Sequence, residues 1–205
     1  DLTEASEKAH GAEPESGSYW LYEARPDGLS LSDRLEMALV RYLAKNPVFS
    51  LSDLHASVFE SFPGLLTPDD DLIHTCLESY AEPDPENENF WRLRQQDQPA
   101  QRRLDLNEVY EMLTTIGERL GLRMRERKID SPQGRTAVGW LDAFDQPLYW
   151  FYPIASAVLS DILLQDQRGE AGEHVIVLPG SRANLVIYKL RRDPRLSERC
   201  HPTGA

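Results

Sequence analysis

Between residues 106 and 192 the apolar residues change their spacing in one order: helix, three strands, helix, strand, helix. Val109, Met112, Leu113, Ile116 and Leu120 recur at helical intervals over 106–120, and Gly121 closes that helix. Residues 122–129 then read as a charged strand, with Arg123, Arg125 and Arg127 on one face and Met124, Glu126 and Lys128 on the other. The turn Ser131-Pro132-Gln133-Gly134 leads into an apolar strand over 138–143. A second apolar strand over 148–154 follows the turn Ala143-Phe144-Asp145-Gln146-Pro147. A helix over 156–165, a buried strand over 174–178 and a helix over 181–192 complete the order. Helices lying between the later strands predict a mixed sheet, because a parallel pair of strands needs a long crossover.

The first hundred residues read differently. Residues 1–18 are rich in Glu, Ser, Ala and Gly without apolar periodicity, and are expected to be a disordered tail. Tyr19-Trp20-Leu21-Tyr22 is a short aromatic run, read as a strand or extended arm, and Arg25-Pro26-Asp27-Gly28 is a turn. Three helices follow. The first starts from a Ser32 cap, carries Leu35, Leu39, Tyr42 and Leu43 on one face, and stops before Asn46-Pro47. The second starts at Ser50, with Asp53 three residues on, and ends at Phe62-Pro63-Gly64. The third opens with a Thr67 cap, Pro68 and two carboxylates, and buries Leu72, Ile73, Cys76, Leu77 and Tyr80. An acidic loop over 82–89 and a strand-like segment at 90–94 come next. Three helices followed by a hairpin or strand is the order of a winged helix. The expectation is a mixed α+β chain: a winged-helix-like domain over 19–98, a polar linker within 95–103, and a small α/β domain over 104–197.

Charge separates the same two halves. Residues 1–100 hold 20 acidic and 7 basic side chains, whereas residues 101–205 hold 14 and 15. The acidic half repels phosphate, so any nucleic-acid contact is expected from residues 101–205. No apolar run reaches the roughly 18–20 residues of a membrane helix, and the polar start is not a signal peptide, so the expected setting is cytoplasmic. The chain begins with Asp, as a piece of a longer protein would. Cys76 and Cys200 do not make a disulfide framework. The five histidines lack partners at zinc-ligand spacing, and neither a metal nor a cofactor is expected.

The element order of the second half resembles a restriction-endonuclease-like core. Such a core holds Mg²⁺ with a carboxylate on its second strand and a Glu-x-Lys pair on its third, which together polarise the attacking water. Asp142 occupies the first of these positions, and Glu108, Glu111 and Glu118 on the preceding helix can add a carboxylate. The third strand, Leu148-Tyr149-Trp150-Phe151-Tyr152-Pro153-Ile154, has neither carboxylate nor lysine. The expectation is a core without its chemistry, with Asp142 either facing solvent at the strand end or capping the turn that follows it. The alternative is a metal-dependent nuclease with a rearranged site built from Asp142, Glu108 and Glu111.

Two further segments bear on binding. Pro179-Gly180-Ser181-Arg182-Ala183-Asn184 turns from a buried strand into a helix whose free N–H groups suit an anion beside Arg182, or it is a plain turn capped by Ser181. It lacks the glycines and lysine of a P-loop. Lys189, Arg191, Arg192, Arg195 and Arg199 form the one concentrated basic stretch. With Arg102, Arg103 and residues 123–128 it makes a positive face on the second half. That face, with Arg182, is the expected contact with nucleic-acid phosphates, or else with an acidic surface such as the protein's own first half. The third helix is a poor reader of DNA, because Asp69, Asp70 and Asp71 stand at the end that would enter the major groove.

Several segments resemble the C-terminal accessory region of large bacterial DNA-methylase-like proteins of restriction or phage-defence type. They are Leu31-Ser32-Asp33-Arg34-Leu35-Glu36, Phe62-Pro63-Gly64-Leu65-Leu66-Thr67-Pro68-Asp69, Cys76-Leu77-Glu78-Ser79-Tyr80, Trp91-Arg92-Leu93-Arg94 and Leu178-Pro179-Gly180-Ser181-Arg182-Ala183. The methylase motifs themselves, an Asn-Pro-Pro-Tyr-type loop and a Gly-rich cofactor turn, are absent from the sequence. The resemblance implies a non-catalytic module that supports a DNA-modification or defence system through protein contacts, with a partner protein or other domains of a parent chain. DNA contact through residues 101–205 and a homodimer are compatible with it. A pure oligomerisation domain is the remaining alternative.

Overall fold

The computed structural model describes residues 29–64, 67–129, 134–164 and 171–200. The expected tail over 1–18, the aromatic run at 19–22 and the turn at 25–28 lie outside them, as does most of the turn at 131–134.

The N-terminal elements run α1 (Leu31–Lys45), β1 (Val48–Ser50), α2 (Leu51–Ser61), α3 (Asp70–Tyr80), β2 (Ala81–Asp84) and β3 (Asn87–Leu93). α1 is capped by Ser30, two residues earlier than expected, and its Oγ accepts from the Asp33 N–H at 3.2 Å. α2 is capped by Ser50 as expected. α3 is capped by Asp69, whose Oδ1 accepts from the Leu72 N–H at 2.8 Å. The expected cap, Thr67, instead donates its hydroxyl to the carbonyls of Phe62 at 2.9 Å and Gly64 at 2.8 Å. That closes the loop between α2 and α3, where Gly64 takes φ +70°, a conformation costly for any residue with a Cβ. The acidic segment expected to be a loop is paired: β2 and β3 form a hairpin, and β1 joins it in the antiparallel order β1-β3-β2. β1 is three residues long, too short for an alternating pattern to reveal.

The expected linker is structured. Gln95–Asp97 is a 3₁₀ turn, and α4 begins at Pro99, where a missing N–H costs nothing, and runs to Arg119. The second sheet contains β4 (Arg123–Lys128), β5 (Thr136–Leu141), β6 (Pro147–Pro153) and β7 (Glu173–Val177) in the order β4-β5-β6-β7. The first three are antiparallel neighbours and β7 is parallel to β6. α5 (Ser160–Leu163) lies in the crossover between them, much shorter than the expected helix over 156–165. A 3₁₀ turn (Gly180–Arg182), α6 (Ala183–Arg192) and α7 (Pro194–Ser197) end the described chain.

α4 covers one face of the second sheet with Val109 and Leu113 against Val138, Trp140, Tyr149 and Phe151. The Trp140 indole donates to the Leu113 carbonyl at 3.1 Å, which fixes the helix on the sheet. On the opposite face Ala137, Trp150, Tyr152 and Ile154 pack with Leu159 and Ile162 of the crossover. Gly139 is required there, because a Cβ at that position would stand 2.7–3.0 Å from the Trp150 ring. α6 belongs to both sheets' cores. Leu185, with no exposed surface, sits among Leu39, Leu43, Ile73 and Leu77 of the N-terminal core, while Val186 packs against both clusters. The fold is therefore mixed α+β, with two sheets whose hydrophobic cores meet through α6. No helix among the described residues is long and apolar enough to cross a membrane.

Candidate functional site

The expected catalytic carboxylates are already engaged or lie on the surface. Asp142 follows the last residue of β5, and its Oδ1 accepts the N–H of Phe144 at 2.8 Å and of Gln146 at 2.9 Å. It shapes the turn into β6, in which Asp145 takes φ +61°. Glu108 and Glu111, and Glu118 after them, are exposed on α4. Among the described residues no group of three or more His, Cys, Asp or Glu side chains is arranged to hold a metal ion.

The expected basic face is largely dismantled. Lys189 is 1% exposed, and its Nζ lies 2.6 Å from Asp33 Oδ1, 2.5 Å from Glu36 Oε2 and 2.8 Å from the Ala157 carbonyl. Burial alone would lower the Lys189 ammonium. The Glu36 and Asp33 carboxylates beside it more than reverse this and hold it above its ordinary value. The second oxygen of Asp33 accepts the N–H groups of Leu159 and Ser160, at 3.1 and 2.8 Å, so α1 serves the start of α5 as a remote cap. Glu36 Oε1 takes the Ala157 N–H at 2.6 Å and the Tyr80 hydroxyl. Arg182, with no exposed surface, bonds Asp97 and the Ser79 carbonyl and stacks 3.4 Å over the Tyr80 ring. Asp97 also holds Arg102 at 2.8 Å. Arg182 and Lys189 thus have no surface to offer phosphate. Each is a buried ion-pair partner that ties α6 or the turn before it to the N-terminal half, because an unpaired charge there would be too costly to bury.

The rest of the basic stretch is exposed but mostly paired. Arg192 bonds Asp69 at the N-terminus of α3, and Arg195 holds Asp193 at 2.7 Å. Tyr188 also donates to Asp69 at 3.0 Å. Arg191 is exposed with no ion-pair partner among the described residues. α6 thus meets the acidic end of α3, and the outward face of α3 is left with Asp70, Asp71, His74 and Glu78.

Of the expected positive face, the part along β4 remains at the surface. Strand alternation puts Arg123, Arg125 and Arg127 on the face that also carries Trp150, Tyr152 and His174. Arg127 lies over the Trp150 ring at 4.5 Å and donates to the Tyr152 hydroxyl at 3.0 Å. Tyr152 is also bonded to His174 Nδ1 at 2.6 Å, with the two rings stacked. Partial burial, and then the nearby Arg127 charge, hold the His174 imidazole below its ordinary value, so it is neutral at pH 7. Arg123 pairs with Asp145 at the surface at 3.0 Å, and Arg125 has no ion-pair partner among the described residues. An open pocket of about 280 Å³ lies here, lined by Arg125, Glu126, Arg127, Pro147, Trp150 and Ala171. Comparison of the chain with family models, with curated proteins and with solved structures finds no match.

Contact of the basic stretch with the protein's own acidic first half, one of the two expected readings, holds for Arg182, Lys189 and Arg192. The burial of the first two and their particular partners were not foreseen, although they leave a signal. Glu36 stands three residues before Leu39, and Lys189 four after Leu185, each on the apolar stripe of its helix. A charged residue in phase with buried leucines marks a site where another charge must meet it.

Proposed function

We propose that the chain is a non-catalytic interaction module of a bacterial DNA-modification or defence system. In this reading 29–94 is a winged-helix-like unit, supported by the α1-β1-α2-α3-β2-β3 order and the β1-β3-β2 sheet. The second sheet is a restriction-endonuclease-like core, supported by three antiparallel strands and a parallel fourth across α5. The observation that carries the functional reading is electrostatic. The outward face of α3, which a winged helix would lay in the major groove, is acidic, while the cations of the second half lie along β4. Nucleic acid is therefore met weakly and through phosphates at β4. Specific partners are proteins or further domains of a parent chain, met elsewhere. Met112, Ile116 and Leu120, spaced four apart and left to solvent on one flank of α4, favour a protein contact there.

The test is incubation of the purified chain with plasmid DNA in Mg²⁺ and in Mn²⁺. The expected result is intact plasmid for the parent and for Asp142→Ala alike. Metal-dependent cutting that disappears in Asp142→Ala would replace this reading with a nuclease using a rearranged site.

A further inference from the structure

We propose that the pocket between β4 and β6 binds a phosphate monoester, with Arg125 and Arg127 as its charged ligands and the Trp150 indole as a third donor. This rests on the reading of β4 as the phosphate-facing strand and makes it specific. Arg125 and Arg127 are two residues apart on one strand face, about 7 Å between their Cα atoms. Two guanidinium forks at that spacing match a group with close to two negative charges and three acceptor oxygens, which a phosphate monoester has at neutral pH.

The surroundings favour the same charge. Glu126 contributes to the wall, but alternation sends its carboxylate to the α4 side, where it acts on Tyr110. Glu173, one residue before His174 on β7, alternates away likewise. Among the described residues the face itself carries arginines, a neutral imidazole and aromatic rings.

Trp150 supplies an independent observation. It is 5% exposed, lines the pocket, and its Nε1–H has no acceptor among the described residues. A buried donor without a partner costs free energy, and few native groups are left in that state. Arg127 lies over the ring at 4.5 Å; in the proposed complex that guanidinium turns from the ring toward the anion and lets a ligand oxygen reach Nε1. Tyr152 and His174 are positioning residues: the His174–Tyr152 pair holds the hydroxyl that anchors Arg127.

The ligand chemistry has two sources, a free nucleotide or the phosphorylated end of a nucleic-acid strand. The chain has four tryptophans, hence four indole N–H signals, and Trp150→Phe identifies the one concerned. The experiment titrates the ¹⁵N-labelled chain with inorganic phosphate, a nucleoside 5′-monophosphate, and one oligonucleotide bearing either a 5′-phosphate or a 5′-hydroxyl. The expected result is a saturable downfield shift of the Trp150 signal with phosphate-terminated ligands. Arg125→Ala should weaken binding by about tenfold or more, and Arg125→Lys by less, since it keeps the charge and loses the fork. Arg125 is exposed, so neither variant threatens the fold. Binding of phosphate and mononucleotide but of neither oligonucleotide upholds the site and refutes nucleic-acid contact at β4. Equal shifts from the two oligonucleotides with none from the mononucleotide overturn the site and leave that contact standing. No saturable shift from any of them overturns the site outright.

Discussion

Replacing Lys189 by Met removes the one ammonium that faces two buried carboxylates. Asp33 and Glu36 have no exposed surface, and Lys189 has 1%. Deleting one partner of a buried ion pair costs about 3–5 kcal/mol, because the remaining charge stays buried without compensation. Here the Leu159, Ser160 and Ala157 amides and the Tyr80 hydroxyl still serve the carboxylates, which places the loss near the lower end, about 3 kcal/mol. For a chain of this length each kcal/mol moves the melting temperature by about 2–4 °C, so Lys189→Met should melt roughly 6–12 °C below the parent. Unfolding is followed at pH 7 by circular dichroism and by tryptophan fluorescence. Both probes should report one transition, because the pair joins α1 to α6. Neutralising the carboxylates as well, in Asp33→Asn/Glu36→Gln/Lys189→Met, should recover part of the loss. Lys189 is held above its ordinary value when folded. Its contribution is therefore complete below the ordinary lysine value, about 10.4, and lost as pH rises through the higher folded value. The gap between parent and Lys189→Met should be constant near neutrality and close in strong alkali. A melting temperature within about 1–2 °C of the parent, or separate transitions for the two probes, would refute the reasoning.

Asp69→Ala should cost about 1 kcal/mol in urea unfolding as the loss of the α3 cap, and Thr67→Ala should cost less. The reverse ranking would mean that the cap is misassigned. By NMR His174 should titrate below the ordinary histidine value of about 6.5, and Arg127→Gln should move it upward. Because the folded state disfavours its proton, His174 lowers stability as pH falls from that value through the folded one. An unshifted His174 would remove the Arg127–Tyr152–His174 array from the account. Gly139→Val should destabilise the chain by about 1–3 kcal/mol, since the Trp150 ring occupies the space a side chain would need. A melting curve like the parent's would show that the ring can move aside.

Long periodic elements were legible in the sequence, and pairing between distant residues was not. α2, β5, β6 and β7 follow from apolar spacing with caps and turns near their expected places, β4 was read as a charged strand, and α4 was read only from residue 106 although it starts at Pro99. β3 was read only from residue 90, and β1 and β2 escaped, because three residues show no period and because Glu82, Asp84, Glu86 and Glu88 read as a solvated loop. The cap of α3 was placed on Thr67, where two carbonyls of the preceding loop claim the hydroxyl. The segment 95–103 looked like a linker because its residues are polar, yet Asp97 is buried beneath Arg102 and Arg182. The same limit applies to the site. Composition counts Arg182 and Lys189 as cations, and only tertiary structure shows their charges spent on Asp97, Asp33 and Glu36, which leaves β4 as the cationic strip.

The most direct test of that assignment is the salt dependence of binding to a labelled single-stranded oligonucleotide, read by fluorescence anisotropy. Three proteins are compared: the parent, Arg123→Gln/Arg125→Gln on β4, and Arg191→Gln on α6. The account predicts weak binding by the parent that falls steeply with salt. The β4 variant should bind more weakly, with its log–log salt slope reduced by about one, and Arg191→Gln should match the parent. Unchanged binding by the β4 variant, with binding lost in Arg191→Gln, would contradict it and return the phosphate contact to α6.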